Sequence, residues 1–375
     1  MDISVFENMT DEDFFSDKLT HIYFTSEVND KSVEEFLNKI NKAKMPTYDN
    51  KKLVEPKPII IHISSPGGEL IAGLRLLSIF SDTKVPICTI VDNFSASSAT
   101  LISINSPYRL VTDYSLTLIH QYSGTFKGKR EHFLNSIKID DETAYLELKK
   151  MYLNKTKLKK KELLDLLKHD IWLDATFCIK KGLADRILKL NVKYDKRHDI
   201  KASELLKHPE YHNIYLNCKT DSKKIDTIFK KEDNKPYIIH PKSIECFDED
   251  KEENDFKSSS GFSLISRIKT LPQSYCIIDI PIILEDLLPM LYCSKIYMHE
   301  HAHIVFNFLY FKYKSCLLDD TIKNTNTIFG LIKKILKERT KLPANIINNI
   351  NKNLLILKPK ECLKYGLCHE IIKIK

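Results

Sequence analysis

The sequence predicts an α/β protein made of two tandem domains, each of repeated strand and helix units around a mostly parallel sheet. Three observations lead there. Short β-branched runs end at small-residue turns and pass directly into stretches with helical apolar spacing. The 375 residues exceed one typical domain and fit two. The second half also repeats anchors of the first, a sign of duplication that has to be weighed before any fold is assigned.

The elements follow in order. Residues 1–19 open with "MDISVFENMTDEDFF", acidic and without the positive region and apolar core of a secretory signal. "PIIIHI", residues 58–63, reads as a strand that ends at "SSPGG" and continues into "ELIAGLRLLSIF", whose spacing is helical. "VPICTIV" is the next strand, followed by the corner Ser95, Ala96, Ser97 and Ser98 and a helix beginning "ATLISI". "YSLTLIH" is a third strand, ending at His120. A long charged, helix-compatible stretch runs from Lys129 to about Tyr152, and "IWLDATFCIKKGLADRIL" stops a helix at Gly182. The expected plan is an N-terminal segment 1–19, a first domain 20–190, an irregular polar linker 191–235 and a second domain 236–375.

The repeat is carried by "SSSGFSLISRI" (258–268) over "SSPGGELIAGL" (64–74) and by "ECLKYGLCHEI" over "FCIKKGLADRI". Between these anchors, Cys276–Phe308 overlays Cys88–His120 without a gap. In that register Glu285 stands at the place of Ser97 and Phe308 at that of His120; aligned through the later anchor, Leu354 stands at that of Asp170.

Composition narrows the function classes. The net charge is +8, but only seven of the 58 basic residues are arginine, the side chain suited to phosphate forks and stacking, and no basic-aromatic stripe occurs. Nucleic acid is not an expected partner. The nine cysteines are scattered with no C-x-x-C pair, which points away from disulfide frameworks and thiolate zinc sites. No apolar run reaches membrane-spanning length. A cytoplasmic protein without membrane partners is expected.

A serine hydroxyl attacks only when a base takes its proton and a third group fixes that base. The first half offers Ser97 at a strand-to-helix corner, His120 at the end of the next strand and Asp170 before a further strand-like segment. Small neighbours Ala96, Ser98 and Ala99 leave room for a peptide carbonyl. The amide of Ser98 and one from the turn at Gly67 and Gly68 can converge as an oxyanion hole. The same residues also fit plainer roles: tight packing or a helix cap at the corner, a strand-end histidine, a turn-capping aspartate.

Four stretches, "ISSPGGELIAGLRLL", "FSASSATLI", "LIHQYSG" and "DIWLDATFCIKKGLAD", together resemble, in order and interval, the landmarks of the proteolytic subunit of Clp-type ATP-dependent proteases. The resemblance covers roughly residues 20–190. It implies a crotonase-like fold, with Ser97 as nucleophile, His120 as general base, Asp170 as orienting carboxylate, and Gly68 and Ser98 as oxyanion donors. By the same resemblance Gly67, Gln121, Tyr122, Ser123 and Gly124, with the segment "SGTFKG", would bind substrate. Residues 129–155 would form a handle helix for stacking rings, which can mix active and inactive subunits. Polypeptide substrates would come from a separate AAA+ unfoldase, since this sequence has no G-x-x-x-x-G-K-[ST] loop of its own. No cofactor is implied. Against the family pattern, Asn93 and Ala99 replace glycines, and Ser98 stands at a methionine-like position. Ser95 is a competing nucleophile that falls a turn too early. A noncatalytic ring or adaptor subunit and an acyl-CoA-handling crotonase relative are the alternatives.

"HEHAH" places His299, His301 and His303 on one side if extended, a zinc-like spacing. The repeat lays it over "VTDYS", an ordinary approach to a strand, and no metal site is expected.

Overall fold

A computed structural model describes residues 3–49, 52–81, 84–122, 142–189, 201–205, 211–216, 229, 235–242, 264–265, 267–269, 271, 273–306, 318–350, 352 and 354–373. They form two compact units: Met1–Lys189 with Ser315–Asn324, and Leu190–Lys314 with Thr325–Lys375.

In the first unit, β1 (Thr20–Phe24), β2 (Ile59–Ser65), β3 (Ile87–Ala96), β4 (Arg109–Thr112) and β7 (Arg186–Leu188) lie side by side in the order β1-β2-β3-β4-β7, all parallel. Two short strands, β5 (Leu116–Leu118) and β6 (Trp172–Asp174), complete the sheet. β5 runs parallel to the far half of β3, and β6 runs antiparallel to β5.

β2 reads as a continuous apolar run because both faces of this sheet are covered. Ile59, Ile61 and Ile63 pack with Val33, Phe36 and Ile40 of α1 (Asp30–Ala43), while Ile60 points the other way, into a cluster with Phe6, Phe14, Cys88 and Leu110. The N-terminal segment thus covers one face. α1 starts at a reciprocal cap: Asn29 Oδ1 accepts the Ser32 amide at 2.9 Å, and Ser32 Oγ accepts the Asn29 amide at 3.1 Å.

Further helices are α2 (Leu70–Arg75), α3 (Thr100–Asn105), α4 (Glu142–Lys155), α5 (Lys160–Leu166) and α6 (Ala175–Lys181). α6 ends where expected, at Gly182 in the left-handed region with φ 68°. The Asp of "GLAD", Asp185, holds Arg109 by two bonds, Nε–Oδ2 at 2.9 Å and Nη2–Oδ1 at 2.6 Å, fixing β7 against β4.

The structure departs from the sequence reading in two places. The expected third strand is β5, and a strand the sequence reading did not assign, β4, precedes it; Ser115 turns the chain between them by bonding Thr112 O through both its amide and its hydroxyl. Each pairs with a different half of β3, which is why β3 runs ten residues into the corner. The stretch 191–235, read as irregular, contains a short helix, Ala202–Leu205, and β8 (His212–Leu216). β8 buries Ile214 and Leu216 in alternation, a period-2 signal obscured by polar neighbours.

In the second unit, β8, β9 (Tyr237–Pro241), β10 (Ser274–Ile278), β12 (Lys295–His299) and β15 (Glu370–Ile372) form a parallel sheet in the order β8-β9-β10-β12-β15. β11 (Ile282–Ile283), β13 (Ile304–Phe306) and β14 (Leu355–Leu357) form a smaller sheet in which β13 and β14 are antiparallel. The helices are α7 (Leu284–Met290), α8 (Leu318–Arg339), α9 (Ala344–Asn348) and α10 (Pro359–Lys364). α10 is followed by Gly366 at φ 70°, in the same region as Gly182. Both five-stranded parallel arrays therefore run in one sequential pattern, with the last strand entering beside the fourth.

Glu285 lies in the first turn of α7, where burial pushes its carboxyl up to about 7 and the nearby Asp286 adds to the rise. Its Oε2 is buried, with no hydrogen-bond partner among the described residues. A carboxyl whose folded pKa is raised contributes full stability below its unfolded value and loses it as pH rises through the folded one. Glu285→Gln is therefore expected to match wild type near about pH 4 and to exceed it by on the order of 3 kcal/mol near about pH 8. Denaturant titrations at the two pH values measure this, and a difference independent of pH would contradict it.

Candidate active site

The corner between β3 and α3 is built around a strained serine. Ser97 has φ 51°, and among the described residues no other non-glycine residue has a positive φ. Such a conformation persists only where the surroundings over-determine it, and it throws the side chain outward from a strand-to-helix turn. Three contacts hold it. A Cβ on Gly67 (φ 85°) would lie 2.4 Å from Ala96 O and 2.8 Å from Ser97 Cβ, so the SPGG turn rests directly on the corner. Thr100 Oγ1 donates to Ser97 O at 2.5 Å. With that proton committed, Thr100 Oγ1 accepts from the Tyr152 hydroxyl of α4 at 2.7 Å. Burial pushes the Tyr152 phenol up to about 12, which keeps this donor protonated.

Gly67→Ala is expected to push the turn off the corner, destabilising the chain by more than about 1 kcal/mol and lowering any turnover about 100-fold. A melting curve and a peptide-cleavage rate on the same sample measure both, and wild-type values would contradict the fit.

Ser95 faces away from this site. It is fully buried in β3, and its hydroxyl meets Ser103 Oγ at 3.2 Å. The departures from the family pattern are absorbed in the interior: Asn93 and Ala99 are both buried.

His120 and Asp170 come together by strand register. Leu116 pairs with Asp174, Thr117 with Leu173 and Leu118 with Trp172. The ladder ends there, and the same register carried two residues past its end brings 120 near 170. Their side chains meet with His120 Nδ1 at 2.6 Å from Asp170 Oδ1. The bond from His120 holds the Asp170 carboxyl below its ordinary value; burial opposes this, while the charges of His120 and His169 add to it. An ionised carboxylate only accepts, so Nδ1 carries the proton and Nε2 is left with its lone pair.

Ser97, Ser98, His120, Gly68, Tyr122 and Tyr152 line one cavity of about 280 Å³, with Leu70, Leu101 and Leu148 as apolar walls. Asp170 sits behind His120. Among the described residues the Ser97 hydroxyl makes no hydrogen bond with His120. The short parallel bridge between Val28 and Gly68 uses Gly67 O and the Glu69 amide, leaving the Gly68 amide out of it. Ser98 stands at the start of a helical turn, where amides lack intrahelical partners. Its own hydroxyl is buried and unpaired among the described residues.

Of the expected substrate contacts, Tyr122 lines the cavity, Gly67 supports the corner, and Gln121 is exposed with its amide bonded to Leu167 O at 2.8 Å. Ser123, Gly124 and the rest of "SGTFKG" lie outside the described residues, as do residues 129–141 of the expected handle helix, the second-copy anchor 258–261 and Phe308. His299 ends β12, and His301 and His303 lie in the segment leading to β13. Among the described residues no group of three or more His, Cys, Asp and Glu side chains is placed to hold a metal ion. No described helix is long and apolar enough to cross a membrane.

The sequence reading missed Thr100, Leu148 and Tyr152. Leu148 and Tyr152 are four apart on α4, a helical spacing visible in the sequence; the Thr100–Tyr152 bond has no local signal.

These features define a class: an α/β protein of the Clp/crotonase type, with a serine corner and a histidine–aspartate pair around one cleft. The Clp protease family model matches residues 13–191. The chain is 30% identical over 135 residues to an ATP-dependent Clp protease proteolytic subunit 2 of Treponema denticola, covering 36% of this chain and 67% of the relative. It is 26% identical over 180 residues to a proteolytic subunit 1 of Chlamydia muridarum, covering 44% and 85%, and 28% identical over 138 residues to the Streptococcus mutans subunit, covering 36% and 70%. The chain belongs to the Clp protease family.

Proposed function

We propose that this chain is a serine endopeptidase with Ser97 as nucleophile, His120 as general base and Asp170 as the carboxylate that orients the base. The 2.6 Å His120–Asp170 bond, beside a strained serine in the same cavity, carries the reading. Nε2 of His120 takes the Ser97 proton as Oγ attacks the peptide carbonyl. The Gly68 and Ser98 amides receive the developing negative oxygen, where one donor is typically worth about 100- to 1000-fold in rate. His120 then protonates the leaving amine; in the second half Nε2 takes a proton from water as its oxygen attacks the acyl carbonyl, and gives it to Ser97 Oγ as the acyl–oxygen bond breaks.

The substrates would be unfolded polypeptides, delivered by an AAA+ unfoldase to rings of such subunits. The relatives' name, proteolytic subunit of an ATP-dependent Clp protease, supports this. The second domain would be a degenerate tandem copy that completes interfaces without hydrolysing. The matching strand order of the two units supports duplication, and Glu285 and Leu354 at the serine and aspartate places support the loss of chemistry.

A noncatalytic ring subunit is the second reading, favoured by one observation: the Ser97 hydroxyl is not bonded to His120 among the described residues. Nucleophile–base contacts are often open without substrate. Cleavage of a small fluorogenic peptide separates the two. Turnover supports the peptidase; no turnover by folded, ring-forming protein supports the scaffold.

A further inference from the structure

The His120–Asp170 pair depends on a loop whose backbone is gripped by side chains from far along the chain. The start of α8, through Asn324, belongs to the same compact unit as His120 and Asp170. Asp320 and Asn324 stand four apart on it, so they share a helix face, and both are only 2% exposed. Asp320 Oδ2 accepts the Asp170 amide at 3.1 Å, and Asp320 Oδ1 accepts from His169 Nδ1 at 2.9 Å. Asn324 Nδ2 donates to Asp170 O at 2.7 Å, and Asn324 Oδ1 accepts the Trp172 amide at 2.8 Å.

Both backbone polar groups of Asp170 are thus held by side chains. The reason lies in the topology. β6 pairs only with β5, and its ladder ends at Trp172, so the backbone at 170–172 needs partners that the sheet does not supply. Burying a carboxylate and an amide is costly unless each polar atom is matched, and here each of the four side-chain atoms has its own partner.

We propose that Asp320 and Asn324 are positioning residues: they fix the loop that aims the Asp170 carboxylate at His120 Nδ1, and so set the direction of Nε2 toward Ser97. This rests on the triad reading above. It gives a segment some 150 positions later in the chain, folded into the same compact unit, a part in setting the His120–Asp170 geometry.

Full-length Asn324→Ala and Asp320→Ala test it on a small fluorogenic peptide. Each is expected to lower kcat about 10- to 100-fold, as a displacement of about 1 Å does, with KM within about twofold because neither residue lines the cavity. Asp320→Asn keeps an acceptor for the Asp170 amide and is expected to restore most of the rate. Ile322→Ala, on an exposed side chain of the same helix, is expected to leave the rate unchanged. If the alanine variants fail to fold, Asn324→Asp, which keeps the acceptor for Trp172, takes their place with the same kcat expectation. A spectroscopic readout separates this proposal from the triad reading: the far-downfield proton resonance of the His120–Asp170 hydrogen bond should persist in Ser97→Ala and vanish in Asn324→Ala. A chain that cleaves nothing yet shows that pattern refutes the peptidase and keeps the positioning role. Wild-type kcat, or an unchanged resonance, in folded Asn324→Ala overturns the positioning role.

Discussion

Ser97→Ala is expected to lower peptide hydrolysis by on the order of 10⁵- to 10⁶-fold and to leave only the residue owed to substrate binding and the oxyanion amides. The size follows from the part proposed for the serine: without an attacking oxygen, His120 would have no proton to take and the covalent path would close. The substitution should not cost the fold. It deletes one hydroxyl that makes no hydrogen bond with His120 among the described residues, and it keeps the Cβ that rests on Gly67. Steady-state cleavage by wild type and variant at matched folded concentration checks this. Equal rates would move the nucleophile elsewhere. Ser95 is not a ready substitute, because its hydroxyl is buried against Ser103.

Asp170→Asn is the second large effect, expected at about 10³- to 10⁴-fold in kcat with little change in KM. The carboxylate only accepts, so it fixes the proton on Nδ1. An amide can turn its NH₂ toward Nδ1 and leave the proton on Nε2, the wrong nitrogen for a base. The pH dependence separates the two partners. The folded pKa of Asp170 is lowered, so the stability of this contact is present above the ordinary carboxylate value and lost only as pH falls through the lower folded one. Activity lost in mildly acidic solution is therefore not expected to follow Asp170, which is still ionised there. A pH–rate profile for kcat/KM checks this. A loss that tracks protonation of Asp170 would contradict it.

Much of this site was legible because each landmark has a local cause. The SPGG turn needs glycine where Gly67 and Gly68 take φ values of 85° and 146°, and the run of small residues marks a corner where the backbone of another turn comes close. Gly182 shows itself as a helix stop. The convergence of His120 and Asp170 was legible only through likeness to a family, since the antiparallel register that pairs them follows from β6 lying beside β5, a long-range fact. Asp320 and Asn324 were invisible for the same reason: a buried polar pair at helical spacing does not disclose a partner some 150 positions earlier. β8 was hidden by its polar setting, and β4 by its brevity, since Arg109–Thr112 holds only Leu110 and Val111 between polar ends.

The most direct test of the account is to treat the full-length wild-type protein with a serine-reactive fluorophosphonate and locate the adduct by mass spectrometry. The account predicts one stoichiometric adduct on Ser97, formed far more slowly in Asp170→Asn. An unlabelled Ser97 in folded protein, or an adduct on a different serine, would contradict it.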